Sequence, residues 1–225
     1  MSISVDTSKR KVFVVDDHPI VRSGLALLIN REPDLVVCGD AEEMHAALDA
    51  IGVLRPDVLV VDISLNGPDG LDLLKHIRTR QPGLPVLILS MHDETIYAER
   101  ALRAGANGYI MKQEATDRVL TALRRILNRE IYVSDRIANK MLQRVASGNG
   151  ATPERSPFDV LSDRELEVLR LMGDGLGTRQ MAEQLHLSIK TVESYQSHLK
   201  EKLSLKNSRE LVQYAVSWAI SRRRN

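Results

Sequence analysis

Three aspartates follow two short apolar runs of the chain, at the points where buried strands would end. Residues 58–61 precede Asp62, and residues 11–15 precede Asp16 and Asp17. Apolar runs without polar alternation are typical of strands in a parallel sheet, and ligands bind beyond the carboxyl ends of such strands. If the two strands are neighbours, the three acids share one crevice. Asp62 could instead cap the next helix, and the acid pair could instead complement a helix dipole.

Two further predicted strand ends carry polar residues that would face the same edge of a sheet. Ser90 ends the run 85–90, and Lys112 ends the run 108–112. Three like charges in one crevice are unfavourable unless a cation neutralises them or some are protonated. Oxygen ligands without cysteine suit a hard ion such as Mg²⁺, which is held by few carboxylates and by water. Four polar strand ends on one edge therefore predict a functional site with a divalent cation.

Periodic segments of the first half supply the elements that must position these residues. Five apolar runs alternate with five segments of helical spacing, which predicts right-handed crossovers and an α/β doubly wound fold with a parallel sheet. The predicted strands are 11–15, 35–38, 57–62, 85–90 and 108–112, and the predicted helices are 19–29, 42–54, 71–80, 94–104 and 117–128.

A boundary between two domains is predicted near residue 150. Residues 134–146 carry four apolar side chains on one helical stripe, which predicts a helix that packs on the first domain or on a partner. Residues 147–157 are rich in Gly, Pro and Ser, as is typical of a flexible linker. We therefore divide the chain into residues 1–130, a linker region 131–158, and residues 159–225.

The second domain is predicted to be all-helical. Ser162 and Glu165 form a capping box that opens its first helix. The predicted helices cover 163–172, 179–185, 189–203 and 209–221, with Thr178 and Ser188 as caps of the second and third. Two helices joined by a three-residue turn form a helix-turn-helix, a unit that places its second helix in the major groove of DNA.

The predicted helix 189–203 has one apolar and one polar face. Val192, Leu199 and Leu203 share a stripe, with Gln196 at its edge. The opposite face has short polar residues and one lysine: Lys190, Ser194, Ser197 and Glu201, flanked by Glu193 and His198. Such a face suits a major groove, where hydroxyls and carboxylates meet base edges, although a solvated surface helix has the same pattern.

Composition and charge limit the class of protein. The 225 residues are 43% hydrophobic and 27% charged, as in ordinary globular proteins. The net charge of +1 favours no partner, and the excess of 12 basic over 10 acidic residues after residue 150 is too small to indicate nucleic-acid binding by itself. The only cysteine, Cys38, excludes an internal disulfide. With no signal-like start and no long apolar run, we expect a cytoplasmic protein without a membrane partner.

Motifs in both halves share one resemblance. Residues 15–19, 89–92 and 104–109, together with the order of Asp16, Asp17, Asp62, Ser90 and Lys112, are similar to a receiver domain. Residues 161–169, 191–195 and 202–203 are similar to a four-helix DNA-binding domain. The chain as a whole resembles a bacterial two-component response regulator of the LuxR/FixJ (NarL) type.

This resemblance implies the chemistry of the first domain. The sheet would have the strand order 2-1-3-4-5. Asp62 would accept a phosphoryl group from a phosphohistidine of a sensor histidine kinase or phosphotransfer protein. Mg²⁺ would be held by Asp17, Asp62 and the main-chain carbonyl of Ser64, with Asp16 acting through water. The domain would assist its own phosphorylation and slow dephosphorylation, and the protein would not be an enzyme.

The resemblance also implies a switch. The Lys112 ammonium would neutralise charge on the transferred group, since such transfer depends mostly on positioning and electrostatics. The Ser90 hydroxyl would turn toward the new phosphoryl oxygen, and Tyr109 would rotate inward with it. This is a population shift between an inactive and an active state.

For the second domain, the resemblance implies binding to double-stranded promoter DNA by a homodimer that forms on phosphorylation. DNA contacts are expected from Thr178, Ser188, Lys190, Thr191, Glu193, Ser194, Ser197, His198 and Lys200. Ile189 and Glu193 depart from the family pattern, in which proline and a basic residue are common. An apolar stripe of the last helix would pair across a two-fold axis, unless it packs inside its own domain: Val212, Ala215, Val216 and Ala219.

Two alternatives remain at this point. A phosphatase of the haloacid dehalogenase type also uses a strand-end aspartate and Mg²⁺, but it needs a second aspartate two positions later, where this chain has Ser64. A degenerate receiver that signals without phosphate is disfavoured because all five polar strand-end residues are present.

Overall fold

The apolar runs of the first half form a five-stranded parallel sheet in a computed structural model that describes residues 9–65, 70–146 and 160–223. The strands are β1 (Arg10–Val15), β2 (Leu35–Ala41), β3 (Val58–Asp62), β4 (Val86–Ser90) and β5 (Gly108–Met111). Their order is β2-β1-β3-β4-β5, as predicted. β1 lies directly beside β3, with Val15 paired with Val61, so the residues that follow these two strands meet at one edge.

Helices cover both faces of this sheet. They are α1 (Pro19–Asn30), α2 (Met44–Leu54), α3 (Gly70–Arg80), α4 (Glu94–Arg103) and α5 (Ala115–Leu127). The central strands β3 and β4 are buried along their whole length, which explains their unbroken apolar sequence. The predicted α/β doubly wound fold is therefore confirmed.

Several element ends in the first half differ from the sequence prediction, including those of β2, α2, β5 and α3. β2 continues to Ala41, and α2 begins only at Met44 because Glu43 is still extended. β5 ends at Met111, and Lys112 begins a short 3₁₀ turn, Lys112–Glu114. α3 begins at Gly70, where a Cβ atom would lie 2.0 Å from the carbonyl oxygen of Asp62. Glycine thus lets α3 start directly against the end of β3.

The segment after α5 returns to the edge of the sheet before it forms α6 (Asp135–Ala146). The Tyr132 amide donates to the Asn107 carbonyl, and the Tyr109 amide donates to the Tyr132 carbonyl at 2.9 Å. On α6, Ile137 is buried, and the helix contacts α4. The expectation that this helix packs on the first domain agrees with these contacts.

The second half is all-helical, with α7 (Asp163–Gly173), α8 (Thr178–Gln184), α9 (Ile189–Lys202) and α10 (Ser208–Arg223). The predicted capping box of Ser162 and Glu165 is present at the start of α7, and Ser188 caps α9. Thr178 is not the cap of α8: Gly177 holds that position, and its amide donates to the side chain of Gln180 at 2.9 Å.

The chain divides into two compact units, residues 1–150 and 151–225. α6 belongs to the first unit. The predicted linker 147–157 lies outside the described residues, and the finer division at residues 130 and 158 stays a prediction. None of the described helices is long and apolar enough to cross a bilayer.

Candidate functional site

The adjacency of β1 and β3 brings together the three carboxylates that the sequence singles out. Asp16 and Asp62 are each 1% exposed, and Asp17 lies beside them. Ligand atoms of these three residues and of His18 all lie within 4.8 Å of one another. The Asp62 carboxylate also accepts the amide of Ser64 at 3.1 Å, which orients it toward the pocket.

Lys112 forms ion pairs with two of these carboxylates. The Lys112 Nζ atom lies 2.7 Å from Asp16 Oδ2 and 2.7 Å from Asp62 Oδ2, and its side chain is almost fully buried. Burial and the nearby Asp16 charge raise the pKa of Asp62, against the attraction of Lys112. Burial lowers the pKa of Lys112, but the carboxylates of Asp62 and Asp16 outweigh it and leave that pKa raised. One ammonium does not balance the negative charge of the pocket.

The donor set of the pocket fits a hard divalent cation. Its negative charge exceeds its positive charge, and most of its donors are carboxylate oxygens. Asp17 Oδ1 is buried, and its nearest polar neighbour is His18 Nδ1 at 2.7 Å, which donates a hydrogen bond only when that ring nitrogen carries a proton. A buried carboxylate oxygen is costly when no donor or cation faces it, and a bound cation would stabilise it whatever the tautomer of His18.

Behind the pocket, the predicted switch residues Ser90 and Tyr109 meet at the backbone of His92. The Ser90 hydroxyl accepts the His92 amide at 3.1 Å, and the Tyr109 hydroxyl donates to the His92 carbonyl at 2.9 Å. Tyr109 is 2% exposed, so its ring already lies inward. The predicted rotation of Tyr109 stays a prediction.

Sequence reasoning missed His92. Its Nε2 atom lies 2.8 Å from the Ser64 hydroxyl, and its ring stacks on Tyr97 with centroids 4.5 Å apart. His92 therefore connects the loop after Asp62 with β5 and α4. The signal in the sequence was the position of His92 two residues after a polar strand end. That position alone does not specify which residues a loop histidine contacts.

In the second unit, α9 presents the polar surface that the sequence predicts. Val192 and Leu199 are fully buried, whereas Gln196 and Leu203 are half-buried at the edge. Most of the residues predicted to contact DNA are exposed: Ser188, Lys190, Glu193, Ser194, Ser197 and His198. Thr178, Thr191 and Lys200 are half-buried.

Several of these residues also have contacts inside the unit. The hydroxyls of Ser188 and Thr191 are 2.7 Å apart at the start of α9, and Thr178 accepts a hydrogen bond from Gln196 at 3.3 Å. His198 Nδ1 lies 3.6 Å from an oxygen of Glu165, a buried carboxylate that also accepts from Lys202. Glu165 thus ties α7 to α9 and fixes the orientation of the polar face.

The apolar stripe of α10 differs from the predicted one. Ala215 and Ala219 are buried inside their own unit, because α7 packs closely against α10 at Gly173. The approach is so close that a Cβ atom at Gly173 would lie only 2.6 Å from the Ala215 carbonyl oxygen. The exposed apolar residues are Val212, Val216 and Ile220, at 46%, 37% and 50% exposure. They are spaced four residues apart, so they form one stripe on the surface of α10.

A doubly wound sheet with an acidic pocket at the carboxyl ends of its strands is typical of the receiver domains of response regulators. In the same chain, α8 and α9 form a helix-turn-helix, which is typical of the DNA-binding domains of such regulators. Family models match both halves: the response regulator receiver domain at residues 12–124, and the luxR family of bacterial regulatory proteins at residues 159–215. The chain belongs to the LuxR-type two-component response regulators, and it is a phosphorylation-dependent transcriptional regulator.

Individual relatives support this family assignment. The chain is similar to the oxygen regulatory protein NreC of Staphylococcus carnosus, with 34% identity over 92% of this chain and 96% of that protein. NreC of Staphylococcus aureus strain bovine RF122 is 37% identical over the same shares. RcsB of Salmonella enterica serovar Typhimurium, bound to the promoter rprA with the phosphomimetic BeF₃⁻, is a solved structure with 27% identity and a TM-score of 0.57, covering 92% of this chain and 98% of that chain.

Proposed function

We propose that Asp62 is the phosphoacceptor of this regulator and that its donor is the phosphohistidine of a sensor histidine kinase or phosphotransfer protein. The observation that carries this proposal is the buried Asp62 carboxylate held between the Ser64 amide and the Lys112 ammonium. In the transfer, an Asp62 oxygen forms a bond to phosphorus, and the bond from phosphorus to the histidine nitrogen breaks.

Mg²⁺ is the cation that we propose for the acidic pocket. Asp17, Asp62 and the main-chain carbonyl of Ser64 would hold it, with Asp16 contributing through water. When bound, the cation supplies positive charge that stabilises the transferred phosphoryl group. Lys112 contributes a fixed ammonium from the protein itself, since it already lies 2.7 Å from the acceptor carboxylate. In this way the receiver assists its own phosphorylation and its slow dephosphorylation.

A small-molecule phosphodonor separates this function from its two alternatives. One lasting, acid-labile phosphate per chain, detected by intact mass, supports the regulator. Continuous release of inorganic phosphate from the donor would support a phosphatase, and no labelling at all would support a degenerate receiver.

The proposed switch starts from the Ser90 hydroxyl. If this hydroxyl turns toward a phosphoryl group on Asp62, it gives up the amide of His92. The His92 carbonyl holds the Tyr109 hydroxyl, and the Tyr109 amide donates to Tyr132. Glu94, two residues after His92, accepts the hydroxyl of Ser134 at the start of α6. These hydrogen bonds, together with the short backbone segment from His92 to Glu94, connect the surroundings of Asp62 to α6, the helix that precedes the second domain.

Ser134→Ala is expected to loosen α6. Besides its bond to Glu94, the Ser134 hydroxyl accepts the amide of Ile137 at 3.3 Å and so caps the helix. Loss of a cap costs about 1 kcal/mol, so hydrogen exchange of amides in 135–146 should speed up about fivefold. Ser162→Ala, which removes the cap of α7, is the matched control and should leave exchange in α6 unchanged. Unaltered α6 exchange in Ser134→Ala would contradict this role.

For the DNA-binding unit, we propose that α9 enters the major groove and that two copies bind neighbouring half-sites. Lys190, Glu193, Ser194 and Ser197 are exposed together on the polar face and would meet base edges. The residues at the margins of this polar face would contact the DNA phosphate backbone or orient α9 on it: Thr178, Ser188, Thr191, His198 and Lys200. With a net charge of only +2 after residue 150, a single copy would bind DNA weakly. Pairing of two copies through the exposed stripe of Val212, Val216 and Ile220 would then supply avidity.

Val216→Glu is expected to weaken binding of the phosphorylated protein to a two-half-site operator by about 100-fold, because a charge in the paired stripe removes the avidity of two linked sites. Phosphorylation itself should be unchanged. The measurement is fluorescence anisotropy of labelled operator at one stated salt concentration. Ser217→Glu adds the same charge at the neighbouring exposed position, about 100° around α10, and should bind within a few-fold of the parent. Equal losses in both variants would contradict pairing through Val216.

A further inference from the structure

A histidine stands at the mouth of the acidic pocket without a role in the chemistry described so far. His18 Nδ1 lies 2.7 Å from Asp17 Oδ1 and 3.3 Å from Asp16 Oδ1. His18 is the residue that precedes the first turn of α1, but its side chain caps no amide of that helix among the described residues. Its ring points at the carboxylates instead.

The surroundings of His18 leave its ring free to adjust while its backbone is fixed. The His18 amide donates to Asp16 Oδ1 at 2.9 Å, and its carbonyl accepts the first amides of α1. The side chain is 58% exposed, so small rotations of the ring are not blocked by packing. The ring nitrogen therefore lies at the pocket on an anchored residue.

The distances are close to those of a shared metal ion. One nitrogen of His18 and one oxygen each of Asp16, Asp17 and Asp62 lie within 4.8 Å of one another. Ligands on opposite sides of one ion are about 4–4.4 Å apart when each bond is about 2.0–2.2 Å. Modest inward movement of the ring and the carboxylates would bring them to one centre.

The chemistry of such a set is different from that of carboxylates alone. Imidazole nitrogen suits Co²⁺, Ni²⁺ and Zn²⁺, whereas Mg²⁺ prefers oxygen and keeps several of its waters. A pocket that offers nitrogen in addition to oxygen gains affinity for the first group of ions and little for Mg²⁺.

We propose that His18 Nδ1 is a direct ligand in the acidic pocket and biases it toward Co²⁺, Ni²⁺ and Zn²⁺ relative to a pocket of carboxylates alone. This inference rests on the proposed function of the pocket as a cation site. A rival role is a hydrogen bond from Nδ1–H to Asp17, which would position that carboxylate for any cation. The two roles differ in what an asparagine at position 18 can do, since its amide donates a hydrogen bond from nearly the same place and binds metals poorly.

The test uses the full-length chain without a histidine tag, with Co²⁺ and Mg²⁺ as probes at one fixed neutral pH. Calorimetry gives the affinity of each ion, and the visible absorption of Co²⁺ reports its ligands. For His18→Ala we expect Co²⁺ affinity to fall about 10–100-fold and Mg²⁺ affinity to change less than about threefold. His18→Asn should lose Co²⁺ affinity as fully as His18→Ala, and the Co²⁺ spectrum should change in both. His45→Ala, an exposed histidine on α2, should match the parent.

Two results would overturn the proposal. Retention of Co²⁺ affinity in His18→Asn, or equal losses of Co²⁺ and Mg²⁺ in His18→Ala, would show that His18 only positions Asp17. Failure of the parent chain to bind Mg²⁺, or Mg²⁺ affinity unchanged in Asp17→Ala, would instead overturn the pocket as a cation site. Thermal melts of each variant confirm that the first domain remains folded during the titrations.

Discussion

Asp62→Asn is expected to abolish covalent phosphorylation from every donor. The amide has the same shape as the carboxylate but lacks its nucleophilic oxygen, while Asp16 and Asp17 remain to bind a cation. Phosphorylation is measured by intact mass after incubation with a small-molecule phosphodonor. Asp49→Asn, which changes an exposed aspartate on α2, is the control and should label fully. Stoichiometric phosphate on Asp62→Asn would show that another residue is the acceptor.

The same variant should be more stable than the parent at neutral pH in the absence of divalent cations. The folded-state pKa of Asp62 is raised, first by burial and then by Asp16. A raised carboxyl pKa means that the folded state holds the proton more tightly than the unfolded state. Its contribution to stability is therefore present below the unfolded pKa and is lost as pH rises through the folded pKa. The neutral amide of the variant avoids that loss, and Lys112 keeps Asp16 as a partner.

Chemical denaturation as a function of pH checks this expectation. The parent should lose stability relative to Asp62→Asn as pH rises from below the ordinary aspartate range toward neutrality, and the two should converge in acid. A parent that is the more stable protein at neutral pH would mean that attraction to Lys112 outweighs burial and Asp16.

Lys112→Ala should produce the second large effect. It leaves Asp16 and Asp62 buried without their shared cation, and removal of one member of a buried ion pair costs about 3–5 kcal/mol. Part of that cost is relieved if one carboxyl takes up a proton. Urea denaturation measures it, and Lys75→Ala, which removes an exposed partner of Asp72, should cost less than about 1 kcal/mol.

The switch should suffer as well. Lys112→Ala is expected to accept some phosphate, because Asp62 remains, but a phosphoryl group on Asp62 would lack its fixed ammonium contact. Operator binding after treatment with phosphodonor should therefore respond far less than in the parent. Full activation of operator binding in Lys112→Ala would remove Lys112 from the switching mechanism.

The individual strands, the helices and the acidic strand ends could be predicted because their signals are local, whereas the strand order that makes β1 and β3 neighbours came from the resemblance to receiver domains. A run such as 58–61 with no polar alternation indicates a buried strand wherever it pairs, and the residue after it must lie at the sheet edge. The capping box at Ser162 and Glu165 likewise depends on residues three positions apart. These rules need no knowledge of distant neighbours.

Other features depend on contacts between distant segments, which residue spacing does not contain. His92 joins Ser64, Tyr97 and Tyr109, and nothing in the run 89–92 specifies those partners. On α10, helical spacing alone does not distinguish Ala215, which α7 covers, from Val216, which it leaves exposed. The close approach of α7 at Gly173 decides between them.

The most direct test of the account is sedimentation velocity of the full chain with and without phosphodonor, alone and with a two-half-site operator at one stated salt concentration. We expect phosphorylated protein to shift toward a dimer and to bind the operator more tightly, and we expect Asp62→Asn to remain unchanged by the donor. Equal mass and equal operator affinity in both states of the parent would contradict phosphorylation-driven pairing.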